Sequence, residues 1–142
     1  MWIEQSTGKE IKEIKDMPFS TIGFVYLLEY PDGKKYIGKK NLYLRVKLPI
    51  LKSKLKRKGH LSFLRIGREL VLKESNWLEY QGSHKEKKLQ PSKKYILHYA
   101  RSNRQLTYLE TKELFKHNVL EEEDFYNDNI LGKFFKTIIS KL

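Results

Sequence analysis

Tyr26 and Tyr36 stand ten positions apart, in segments with the composition of paired strands. Side chains on a strand alternate between faces, so a hydroxyl from each can meet on one face of a sheet. Such a pair is a candidate for chemistry, although aromatic pairs across strands are more often packing. The second chemical signal is charge. Of the chain's net +12, most falls between Lys39 and Lys73, where twelve basic residues stand against one acid, Glu69. A concentrated basic patch attracts polyanions, of which DNA or RNA is the commonest. The candidate nucleic-acid contacts are Lys39, Lys40, Lys47, Lys52, Lys54, Lys56, Arg57, Lys58, Arg65 and Arg68.

Other chemistries find no support. The absence of cysteine excludes disulfides and thiolate zinc sites. His60, His84, His98 and His117 lack metal-ligand spacing, and His98 is expected in or beside a strand. No phosphate-cradling glycine loop or nucleophile elbow appears, which argues against a nucleotide cofactor or an acyl-transfer enzyme. The run Glu121-Glu122-Glu123-Asp124 reads as a solvated acidic loop. No stretch reaches the roughly 18 apolar residues of a membrane span. The start lacks a basic region followed by an apolar one. The cytoplasm is therefore the expected location, and no membrane partner is expected.

The elements that would position these residues follow from pattern. At 142 residues the expectation is one domain, 1–142, with a polar lead-in over 1–20 that could form a hairpin. Gly23 to Tyr30 is rich in aromatic and branched residues and predicts a strand. Pro31-Asp32-Gly33 predicts a turn, since proline presets φ and glycine accepts a positive one. Lys34 to Lys39 should return beside the first strand. From Asn41 the leucines separated by lysines predict a helix, kinked or restarted at Pro49, and Leu61 to Lys73 predicts a second. Residues 75–90 read as a loop. Lys93 to Tyr99 predicts a third strand. Ser102-Asn103 offers caps for a helix over Gln105 to His117, with Leu106, Leu109, Leu114 and Phe115 on its apolar face. The expected fold is small α/β (α+β), a three-stranded antiparallel sheet flanked by helices, with 46–92 as a basic insertion.

The ordered set Gly23-Phe24-Val25-Tyr26, Tyr36-Ile37-Gly38, Arg45, Glu110 and Asn127 resembles the GIY-YIG nuclease superfamily. It looks most like the short free-standing nucleases of phages and GIY-YIG restriction enzymes. Trp77 to Ser83, Tyr108-Leu109-Glu110 and Tyr126-Asn127 extend the resemblance over most of the chain. One departure is Phe24 at a position of the name motif. The resemblance implies an endonuclease on double-stranded DNA that leaves 5′-phosphate and 3′-hydroxyl ends, in a host's cytoplasm if phage-encoded.

It also implies roles. Tyr26 would be the general base or its relay, and Tyr36 would orient the water or the scissile phosphate. A free tyrosine, with pKa about 10, is a poor base at neutral pH. Lys35, Lys39, Lys40 and a metal are the expected sources of a lowered value. Arg45 would grip phosphate oxygens, with Arg57, Arg65 and Arg68 as alternatives. Glu110 would hold one Mg²⁺, with Mn²⁺ as substitute, and Gly38 and Asn127 would support the site. Without the resemblance, Glu110 reads as a helix-surface carboxylate and Asn127 as a turn residue. Two other readings fit the same charge: a non-catalytic nucleic-acid-binding module with its tyrosines in packing or stacking, and a basic membrane-surface protein. Monomer and homodimer remain open.

Overall fold

A computed structural model describes residues 1–49, 68–82 and 90–139. The chain divides into two compact units, 1–42 with 76–142, and 43–75. The first unit is built on a mixed five-stranded sheet in the order β2-β1-β7-β3-β4. Its strands are β1 (Trp2–Glu4), β2 (Glu10–Ile11), β3 (Gly23–Glu29), β4 (Lys35–Asn41) and β7 (Lys93–Ala100). The expected antiparallel trio is present as β7-β3-β4. The sheet is larger than expected because the lead-in joins it. β1 pairs antiparallel with β2 and parallel with β7, and Trp2 is completely buried.

β3 is the middle strand of that trio, buried along nearly its whole length, as its run of aromatic and branched residues requires. The turn that follows has the expected chemistry. Gly33 donates to the Tyr30 carbonyl at 3.0 Å with φ +86°, and the Asp32 carboxylate accepts from the Lys34 amide at 2.9 Å. Alternation along β3 then divides the core. Phe24, Tyr26 and Leu28 pack with Trp2, Leu42, Trp77 and Ile96. Val25 and Leu27 pack with Ile37, Leu106 and Leu114.

Leu106 and Leu114 belong to α1 (Asn103–Lys116), one long helix where flanking helices were expected. Ser102 caps it by accepting from the Gln105 amide at 3.1 Å, so it begins two residues before the expected start. Phe115, expected on the apolar face, is exposed, and Glu113 takes a buried place. A small hairpin of β8 (Asn129–Ile130) and β9 (Phe134–Phe135) and a helical turn, α2 (Lys136–Ile139), close the described chain.

The second unit corrects the sequence reading further. β5 (Tyr43–Pro49) and β6 (Arg68–Glu74) form an antiparallel ribbon, where helices were expected from Asn41 and over Leu61 to Lys73. Leu42, Leu44, Val46 and Leu48 recur every second residue, which is the strand period. Among the described residues, no helix is long and apolar enough to cross a membrane.

Candidate active site

β4 is an edge strand, so the backbone groups of alternate residues turn away from β3 and need other partners. Asp124 and Tyr126 serve Lys35: its amide donates to the Asp124 carbonyl, and its carbonyl accepts from the Tyr126 amide, both at 2.8 Å. Asn127 serves Ile37. Its side-chain oxygen accepts from the Ile37 amide at 3.0 Å, and its Nδ2 donates to the Ile37 carbonyl at 2.7 Å. Asn127 is buried and acts as a short extension of the sheet. Glu110, from α1, accepts a hydrogen bond from the Lys39 backbone. These partners border a cleft of about 290 Å³ lined by Tyr36, Lys39, Glu110, Asn127, Asp128 and Asn129 among others.

The two tyrosines share one sheet face, as expected. Tyr26 faces Gly38 across the ladder, Tyr36 faces Leu28, and the phenol rings lie 6.2 Å apart between centroids. Gly38 makes the arrangement possible, because the Tyr26 ring lies across its α-carbon. A Cβ there would fall 2.6 Å from Tyr26 Cζ and 3.1 Å from Tyr36 Cε1. Beside Tyr26 the ladder to β7 shifts register: Val25 faces His98 and Tyr26 faces Ile96. Such bulges re-aim side chains. Here the bulge turns His98 toward the helix side, where its Nε2 lies 2.8 Å from a Glu113 oxygen, and His117 Nε2 lies 3.0 Å from the other.

The electrostatics of Tyr26 differ from expectation. It has no exposed surface. Burial pushes its hydroxyl well above the usual tyrosine value, and the Tyr36 and Tyr80 phenols, a hydrogen bond with Tyr80 and the Glu110 carboxylate push the same way. The expected lowering by Lys35, Lys39 and Lys40 is overturned. Lys35 and Lys39 are odd positions of β4 and project to the face opposite the tyrosines. Lys39 reaches Thr107 Oγ1 at 2.8 Å, and the Lys40 ammonium lies 4.1 Å from the centre of the Tyr80 ring. A phenol held neutral in this way donates a hydrogen bond well and is a poor standing base.

Burial also pushes the Glu110 carboxyl up, against offsets from the Lys39 ammonium and the Lys39 backbone hydrogen bond. No group of three or more His, Cys, Asp or Glu among the described residues is arranged to hold a metal. The cleft offers instead two carboxylates, Glu110 and Asp128, with further amide oxygens from Asn127 and Asn129. That donor set fits a hard cation that keeps several waters.

Sequence reasoning missed Tyr80, whose ring packs edge-on against Tyr26 at 5.8 Å. It lies in a stretch read as loop, although Trp77 and Tyr80 are conspicuous aromatics there. Arg45 belongs to the other unit, on β5, with its side chain exposed. Lys47 and Arg68 are on the ribbon strands. Lys52, Lys54, Lys56, Arg57, His60, Lys58, Arg65 and His84 lie outside the described residues.

A family model described as "Putative endonuclease segE, GIY-YIG domain" matches residues 2–130. No curated protein and no solved structure matches the chain.

Proposed function

The chain belongs to the GIY-YIG endonuclease family, and from that premise we propose that it hydrolyses phosphodiester bonds of double-stranded DNA in a metal-dependent reaction. The observation that carries this reading is the cleft at the edge of β4, where Tyr36, Glu110 and the backbone held by Asn127 come together. Glu110, with oxygen donors around it, would hold one Mg²⁺, and Mn²⁺ would substitute. When bound, the cation supplies Lewis-acid stabilisation of the departing oxygen.

The remaining work falls to the chain's own groups. Tyr36 lines the cleft and is suited to orient the attacking water or the scissile phosphate. Tyr26 lies behind it, wholly buried, so its part is that of a relay: it takes up a proton only as its own proton leaves. Gly38 and Asn127 hold the two tyrosines and the strand edge in register. Lys39 and Lys40, with the basic residues from Lys47 to Arg68, would supply phosphate contacts. For the phosphate grip of Arg45 the support is the family resemblance alone.

A second reading, a nucleic-acid-binding module without catalysis, draws on the complete burial of Tyr26, which suits a packing role. One experiment separates the two: incubation of supercoiled plasmid with Mg²⁺, with EDTA, and with the Glu110→Ala variant. The nuclease reading expects metal-dependent nicking or linearisation that Glu110→Ala abolishes while DNA binding persists. Binding with no cutting in Mg²⁺ or Mn²⁺ selects the module.

A further inference from the structure

Tyr26 presents a problem that its neighbours resolve. A proton arriving at a buried hydroxyl must have somewhere to go, and Tyr26 has no surface through which to release it. Its hydroxyl has a hydrogen-bond partner in Tyr80. Tyr80 is only half-buried. Its ring stands edge-on to Tyr26, 5.8 Å between centroids, and the Lys40 ammonium lies 4.1 Å from the ring centre on strand β4.

The segment carrying Tyr80 is held in place by contacts with no evident catalytic part. Trp2 Nε1 donates to the Trp77 carbonyl at 2.8 Å. The buried Lys94 donates to the Leu78 carbonyl at 3.1 Å, its ammonium 4.2 Å from the Trp2 ring centre. The Tyr80 amide donates back to the Trp77 carbonyl at 3.3 Å. Three anchors in four residues fix where the Tyr80 hydroxyl lies. An unconstrained loop would not hold a hydroxyl to a single partner.

We propose that Tyr80 is a positioning residue for Tyr26, accepting its hydrogen bond and forming the proton outlet that connects the buried phenol to solvent. This rests on the nuclease reading. The transfer balances without any further reagent. A proton from the attacking water goes to the Tyr36 oxygen at the cleft as Tyr36's own proton passes to the Tyr26 oxygen, Tyr26's passes to the Tyr80 oxygen, and the Tyr80 proton leaves to bulk water. Lys40 keeps the Tyr80 ring in register through the cation–π contact.

The test is Tyr80→Phe, which keeps the ring, its packing and the Lys40 contact while removing the hydroxyl. Cleavage of plasmid DNA in Mg²⁺ should lose about 10- to 100-fold in kcat, with KM within about twofold. That loss is below the roughly 10²–10⁴-fold of a group that transfers a proton to or from the reacting atoms, because Tyr80 acts through Tyr26. In mixtures of light and heavy water the wild-type rate should vary along a bowed line, since several protons move together. The variant's should be straight. The ¹³Cζ resonance of labelled Tyr26 should move in the variant, because its hydrogen-bond acceptor is gone. Wild-type kcat in Tyr80→Phe overturns the proposal, as does a slowed variant that keeps both the bowed line and the Tyr26 resonance. If the wild-type protein cuts no DNA in Mg²⁺ or Mn²⁺, the nuclease reading fails. The Tyr26 resonance then decides separately, and an unmoved signal overturns the Tyr80 contact.

Discussion

Gly38→Ala adds one carbon at the point where the site has least room. The Cβ would lie 2.6 Å from Tyr26 Cζ and 3.1 Å from Tyr36 Cε1, against an optimum near 3.5–4.0 Å, so the Tyr26 ring must move by roughly 1 Å. The ring cannot swing aside, being buried between Trp2 at 5.5 Å and Tyr80 at 5.8 Å. The backbone itself offers no objection, since Gly38 is not among the glycines with positive φ. Overpacking of this kind costs about 1–3 kcal/mol. The stiffer unfolded chain returns about 0.4–1 kcal/mol. The net loss of about 0.5–2 kcal/mol lowers Tm by roughly 2–8 °C in a chain of this size. Cleavage should fall further, by roughly 100-fold, because a displacement of about 1 Å is large for groups that must be aligned. Thermal unfolding followed by circular dichroism and plasmid cleavage with Mg²⁺ measure the two effects. Combining Gly38→Ala with Tyr26→Leu should give less than the sum of the single losses in stability, since the colliding ring is gone. A Gly38→Ala protein with wild-type Tm and wild-type rate would refute the reasoning.

Two further predictions concern stability. Asn127→Leu removes both hydrogen bonds to the buried Ile37 backbone and should cost about 1–3 kcal/mol for each orphaned group. Asn127→Asp keeps an acceptor for the amide and should cost less, and equal stability of Asn127→Leu and wild type in denaturant would contradict this. Burial lowers Lys94 from its ordinary value to about 8. The unfolded chain therefore binds more protons than the folded one between about pH 8 and 10.5. Stability should rise with pH across that window, with a slope of at most ~1.4 kcal/mol per pH unit from this group. The difference between wild type and Lys94→Met in urea unfolding isolates it, and a flat difference would count against the buried ammonium.

Local pattern carried much of this protein. The aromatic, branched run of β3, the Pro31-Asp32-Gly33 turn, the return strand and the Ser102 cap are decided within a few residues, so they were legible. The pairing of Tyr26 and Tyr36 on one face followed from alternation alone. The ribbon was misread as helix: the two-residue spacing from Leu42 to Leu48 carries the strand period of β5, but apolar residues separated by Arg45 and Lys47 also suit a helix face. A local pattern that fits two periods is settled by pairing, and β6 lies far along the chain.

What tertiary structure alone decided is environment. Nothing near Trp2 in sequence indicates that it fills the core beneath Tyr26. Asn127 became an extension of β4 because an edge strand leaves backbone groups unpaired, and which distant side chain meets them is a matter of topology. Lysines near the tyrosines in sequence suggested a lowered phenol pKa. The strand alternation that brings Tyr26 and Tyr36 together sends Lys35 and Lys39 to the other face, and burial then pushes Tyr26 upward. Sequence determines which residues can share a face; the dielectric and the partners they meet there depend on everything folded over them.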